Sequence, residues 1–247
     1  MDTRYLIDMR LKADKAEGRS DYPYSLPAVR HLGRLEFSPT VTFLVGENGS
    51  GKSTLMEALA VTLGFNPEGG TRNFNFGTWA SHSELHQALR VGKGVRRARD
   101  GFFLRAESFF NVATEIERMD AEPAPAPPVI DSYGGLSLHE QSHGESFFAL
   151  MMNRFGGKGV YLLDEPEAAL SPQRQLAMLA RINDLVKDDS QFVIATHSPI
   201  LMAYPGAWIY QCGPQGFERV DYDDTEHVRV TRGFLANPAR TLRTLLD

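Results

Sequence analysis

Three short segments of the 247-residue chain hold residue types and spacings that could do chemistry. The first runs Gly46, Glu47, Asn48, Gly49, Ser50, Gly51, Lys52, Ser53, which fits G-x-x-x-x-G-K-[ST] in full. Glycines at that spacing let the backbone bend so that successive N–H groups face phosphate oxygens. A helix opening near Ser53 adds the positive end of its dipole. Lys52 supplies a point charge to the β- and γ-phosphates, the Ser53 hydroxyl can ligate Mg²⁺, and Thr54 can donate to the α-phosphate. The candidate nucleotide-binding residues are Gly46, Asn48, Gly49, Ser50, Gly51, Lys52, Ser53 and Thr54. They point to a nucleoside triphosphate without fixing the reaction.

The second segment is an apolar run ending in Asp164 and Glu165. Asp164, with Ser53, is the candidate metal-binding pair. Glu165 is the candidate that polarises a water for in-line attack on the γ-phosphate. The third is Phe192, Val193, Ile194, Ala195, Thr196, His197, a second apolar run ending in a histidine. His197 can donate to a phosphate oxygen and to the attacking water, with the Glu165 carboxylate as its other partner. Glu165 and His197 are thus the candidate catalytic residues.

These groups need elements to hold them. Residues 41–45 and 159–163 are continuously apolar, as in strands buried on both faces, and 191–196 form a third such strand. Apolar residues at helical spacing predict a helix over 53–63, and further helices are predicted at 109–119, 145–154 and 172–187. Strands are also expected at 4–11, 35–37 and 102–109, with a hairpin of 207–211 and 217–221 and two short helices after it. Alternating strands and helices predict an α/β fold around a mostly parallel central sheet. The chain reads as a single domain over 1–247, with a helical and loop insertion at about 66–140. Its first part, 66–101, contains one helix at 82–90, and a stiff proline-rich loop follows at 122–128.

The formal net charge is −5, so a nucleic-acid contact would need a local basic patch. The densest is Arg90, Lys93, Arg96, Arg97 and Arg99. One cysteine, Cys212, rules out an internal disulfide and a multi-cysteine zinc cluster. No apolar run approaches a membrane span, and the N-terminal residues lack a signal-peptide pattern. The expectation is a soluble cytoplasmic protein with no direct membrane insertion.

In this order the motifs resemble the ABC-type P-loop ATPase head, the superfamily of transporter cassettes, chromosome-maintenance heads and RecF-like repair ATPases. Its L-S-G-G-Q signature corresponds here to Gln141, Ser142, His143, Gly144 and Glu145, with Ser142 and Gly144 retained. Residues 167–172 resemble the D-loop, which in that family lies at the dimer seam. The whole set resembles the stand-alone bacterial AAA-family "predicted ATPase" branch. The resemblance implies an Mg²⁺-dependent ATPase that dimerises head to tail around two ATP molecules, with Ser142 and Gly144 contacting the nucleotide held by the partner. Glu107 takes the place of the family's Q-loop glutamine, with Gln87 as the alternative. Tyr22 and Tyr24 stand where an adenine-stacking aromatic would be. The implied roles are DNA repair or phage defence, with a nucleic-acid or protein partner, or alternatively the ATP-binding subunit of a membrane transporter. A GTPase is disfavoured because no Asn-Lys-x-Asp guanine reader is present.

Overall fold

The computed structural model describes residues 4–72, 83–121, 127–141 and 143–246. Its strands are β1 (Leu6–Leu11), β2 (Leu35–Glu36), β3 (Val41–Gly46), β4 (Leu89–Lys93), β5 (Asp100–Arg105), β6 (Gly159–Asp164), β7 (Gln191–Ala195), β8 (Trp208–Gly213) and β9 (Gly216–Val220). The helices are α1 (Ala13–Ala16), α2 (Pro27–Arg30), α3 (Lys52–Leu63), α4 (Leu85–Ala88), α5 (Phe109–Ala121), α6 (His143–Asn153), α7 (Pro172–Lys187), α8 (Pro199–Met202), α9 (Glu226–Ala236) and α10 (Pro238–Leu246).

Six strands form one sheet in the order β5-β6-β7-β3-β8-β9, parallel except for the last. The fold is therefore α/β with a mostly parallel central sheet. Every residue of β3, β6 and β7 is buried, because helices cover both faces. Side chains alternate between the faces. Phe43, Phe102, Tyr161, Phe192 and Ile194 enter the core under α5, α6 and α7. Leu44, Phe103, Leu162 and Val193 enter the core beneath α3 and the small sheet. α7 starts where sequence rules place a start: Pro172 occupies its first turn, and Ser171 accepts from the backbone N–H of Arg174 at 3.4 Å.

A second, antiparallel sheet has the order β2-β1-β4. It is bolted to the main sheet by the buried Gln191. The Gln191 carbonyl accepts from Tyr5 N and Leu6 N at 3.0 and 2.8 Å, and its amide donates to Leu6 O and Ser38 O at 2.9 and 2.7 Å.

The helix expected at 82–90 is only four residues long and gives way at Leu89 to β4. Part of the basic stretch therefore belongs to a strand, because Leu89 is buried while Arg90 pairs across from Arg10 at the surface. The strand expected at 102–109 ends at Arg105, since Phe109 already starts α5. Residues 73–82, and 122–126 of the proline-rich loop, lie outside the described residues. Among the described residues, no helix is long and apolar enough to cross a membrane.

Candidate functional site

β6, β7 and β3 are parallel neighbours, so their C-terminal ends meet at one sheet edge. In open α/β sheets this is the edge that binds ligands. It brings together the phosphate loop after β3, Asp164 and Glu165 at the end of β6, and His197 two residues beyond β7. The loop and Glu165 line a cleft of about 450 Å³ through Asn48, Gly49, Gly51, Lys52, Ser53, Thr54 and Glu165, with Tyr22; Asp164 and His197 are not among its lining residues.

The loop is built around glycine. Gly46 has φ 144°, and a Cβ there would lie 2.7 Å from the Cys212 carbonyl oxygen on β8. Gly51 has φ 97° and abuts Leu26, so a side chain there would collide at 2.9 Å. Both positions therefore need glycine's conformational freedom. Lys52 begins α3, and its side chain turns back over the loop. Its ammonium donates to Gly46 O at 2.7 Å, Glu47 O at 2.9 Å and Ser50 Oγ at 3.5 Å. Burial pulls the Lys52 pKa down, against the nearby Glu165 and Asp164 charges.

Ser53 Oγ donates to Asp164 Oδ1 at 3.1 Å, joining the two candidate metal residues. Asp164 is 3% exposed, and burial pushes its carboxyl up to about 7; the Arg105 charge and the Ser53 hydrogen bond act in the opposite direction. Arg105 does not cancel the burial. Its Nε is 4.0 Å from Asp164 Oδ2 and lacks a hydrogen-bond partner, while its other nitrogens hold Glu57 and Glu107. A buried carboxylate beside a hydroxyl is an oxygen donor set that suits a hard divalent cation. No group of three or more His, Cys, Asp or Glu among the described residues forms a complete metal cage. Ser53 and Asp164 together offer two oxygens, and Mg²⁺ characteristically takes one or two from protein.

Glu165 sits in the left-handed region, φ 52° and ψ 50°, uncommon for a residue with a Cβ and a form of strain that clusters at working sites. Its side chain is 39% exposed at the cleft. His197 Nε2 lies 3.6 Å from Glu165 Oε1, too long for the expected hydrogen bond. The partner found for His197 is instead His227 on α9, with His197 Nδ1 and His227 Nε2 at 2.9 Å. Burial, followed by the Lys52 and His227 charges, lowers His197 to about 4, so the imidazole is neutral near pH 7. The backbone N–H of His197 donates to Glu167, whose carboxyl burial pushes up.

Gly144 is the second residue of α6 and is not among the residues lining the cleft. A Cβ there would come within 2.6 Å of Ala169 O and 2.7 Å of Arg174 Nη1, so glycine lets α6 close onto the turn that follows Glu165. Ser142 lies outside the described residues. Tyr22 is exposed at the cleft, whereas Tyr24 is in the core with the Arg19 guanidinium 4.1 Å above its ring. Glu107 also lines the cleft; Gln87 is exposed on α4 and does not. Sequence reasoning assigned no role to Arg105 or His227. Arg105 could have been suspected as the last residue of a strand feeding the same sheet edge, while His227 carried no local signal.

Comparison with known proteins gives two family matches, each over about a third of the chain. Residues 28–111 match a family described as "AAA domain", and residues 129–203 one described as "AAA domain, putative AbiEii toxin, Type IV TA system". The chain is 29% identical over 169 residues to the cytochrome c biogenesis ATP-binding export protein CcmA of Rhodopseudomonas palustris (strain BisB5), covering 65% of this chain and 79% of that protein. It is 30% identical over 178 residues to the ribose import ATP-binding protein RbsA of Yersinia pestis, covering 64% of this chain and 34% of that protein. The chain thus spans about a third of the length of that second relative. In three dimensions it resembles cbiO1 from Clostridium perfringens, part of the ABC transporter complex cbiONQ. The TM-score is 0.53 at 16% identity, over 99% of this chain and 100% of that one, a likeness of fold.

Proposed function

We propose that this chain, an ABC-type P-loop ATPase head, binds ATP with Mg²⁺ and hydrolyses it as a nucleotide-sandwich dimer. The observation that carries this reading is the convergence of Lys52, Ser53, Asp164, Glu165 and His197 at one sheet edge. The loop N–H groups and Lys52 bind the phosphates, and nucleotide binding exchanges the lysine's contacts with its own loop carbonyls for phosphate oxygens. Ser53 and Asp164 hold the Mg²⁺, which neutralises charge on the transferring phosphoryl group when bound. Glu165 orients and polarises the attacking water, and His197, whose Nε2 lies 3.6 Å from Glu165, donates to the γ-phosphate. The whole chain, 1–247, acts as one cytoplasmic ATPase unit. Ser142 and Gly144 of one copy face the phosphate loop of the other, and Tyr22 rather than Tyr24 stacks on the base.

Two cellular roles suit such a motor. The exposed basic stretch with Arg90, Lys93 and Arg97, and a match whose description names a TA system, support work in DNA repair or phage defence. The names of the two curated relatives support a second reading, the ATP-binding subunit of a transporter. ATP turnover measured with and without duplex or single-stranded DNA separates them, because only the first predicts stimulation.

The chemical step is tested by Glu165→Gln. ATP binding should persist while turnover falls by about 10²–10⁴-fold, the contribution of a positioned general base. Near-normal hydrolysis in that variant would assign the water to another group.

A further inference from the structure

We infer that His227 is a positioning residue for His197: its Nε2–H donates to His197 Nδ1 and thereby holds the proton of His197 on Nε2, facing Glu165. The 2.9 Å separation of the two ring nitrogens requires one hydrogen between them. Both imidazoles are depressed by burial, so the pair is neutral and one ring donates to the other. The outward nitrogens, His197 Nε2 and His227 Nδ1, are buried without hydrogen-bond partners. The two possible tautomers therefore differ in what His197 presents to Glu165. If His197 donated, its Nε2 would be a bare lone pair 3.6 Å from a carboxylate oxygen, acceptor against acceptor. If His227 donates, that nitrogen carries a hydrogen toward Glu165, available to a phosphate oxygen. Lys52 does not reverse this preference, because its ammonium is engaged by Gly46, Glu47 and Ser50.

The arrangement is anchored on both sides. At the start of α9 the backbone N–H of Glu226 donates to Gln211 Oε1 on β8 at 3.0 Å. Tyr222 Oη donates to Pro199 O at 3.1 Å, just after His197, and Val228 is buried. His227 is the second residue of α9, where the positive end of the helix dipole also favours a neutral ring. Placing α9 thus places the donor. The same logic operates wherever a ring nitrogen's role is set by the hydrogen bond made at the other.

The catalytic consequence rests on the function proposed above; the tautomer does not. In the nucleotide-free protein with ¹⁵N-labelled histidines, nitrogen chemical shifts should show His197 protonated on Nε2 and bare on Nδ1. His227→Phe should release that preference, and His227→Gln, which keeps an N–H donor, should restore it. His227→Phe should lower kcat for ATP about 10–100-fold, the usual loss when a partner orienting an active-site imidazole is removed. KM should be unchanged, His227→Gln should recover most of kcat, and His227→Phe should add nothing in a His197→Ala background. A wild-type His197 protonated on Nδ1, or a His227→Phe variant with unaltered tautomer and kcat, would overturn the inference. If the tautomer is as assigned but His197→Ala hydrolyses ATP normally, the role proposed for His197 fails and the pairing stands.

Discussion

Asp164 shows how a single residue can be costly to the fold and necessary to the site. Its carboxyl is pushed up to about 7 by burial, above the ordinary aspartate value in an unfolded chain. Between about pH 4 and 7 the folded protein therefore holds a proton that the unfolded chain has released. Stability from this group is greatest below that window and is lost as pH rises through it. Asp164→Asn should accordingly unfold later than the wild type at pH 8, by about 1–3 kcal/mol, with the difference shrinking as pH falls and vanishing only below about pH 4. Denaturant titrations across this pH range test this. Adding ATP and Mg²⁺ should stabilise only the wild type, because the variant loses its metal-dependent binding. The phosphate loop, Asp164, Glu165 and His197 were legible in the sequence because each follows an apolar strand and the spacing carries its own chemistry. The left-handed backbone of Glu165 was not, since no residue type announces it. His227 was hidden because its sequence neighbours Glu226 and Arg229 look like helix surface, and its partner is set by contacts with Gln211 and Tyr222.

At the level of elements, the buried polar link between the two sheets has no counterpart in the periodic patterns that reveal strands. Gln191 satisfies two N–H and two C=O groups of the N-terminal segment from a position inside the core. Gln191→Leu would fill nearly the same space and leave four backbone groups without partners. Its expected cost is about 2–5 kcal/mol, the range for breaking a buried hydrogen-bond network. Because Gln191 begins β7 and the site lies at the other end of that strand, ATP affinity by calorimetry should survive wherever the variant is folded. The parallel strands β3, β6 and β7 were readable because burial on both faces makes them continuously apolar. β4 was not, because Arg90, Gly92 and Lys93 dilute its short alternation and Leu85, Ala88 and Leu89 continue a helical spacing. A glutamine heading an apolar strand signals nothing until the strand it ties down is in place.

For the whole molecule, a site shared between two copies predicts complementation. Ser142→Arg should keep ATP binding but block closure by putting bulk and charge into the partner's site, while Lys52→Ala should lose binding. Each alone should be inactive. Mixed, they form dimers with one site carrying both lesions and one carrying neither, so turnover should partly return in a simple ATPase assay. No recovery would argue against a shared site, and wild-type turnover by Ser142→Arg alone would exclude it. The sheet order also has a consequence for synthesis. β3, which carries the phosphate loop, is flanked by β7 and β8 and by no strand made before it. As the chain leaves the ribosome, this apolar segment emerges early and its neighbours late. With Gln191 and Trp208 still to be made, the wait is on the order of ten seconds at roughly 5–20 residues per second. Nascent chains of this protein therefore display the nucleotide-binding strand as an unshielded hydrophobic segment, a natural target for chaperones, well before they can bind a nucleotide.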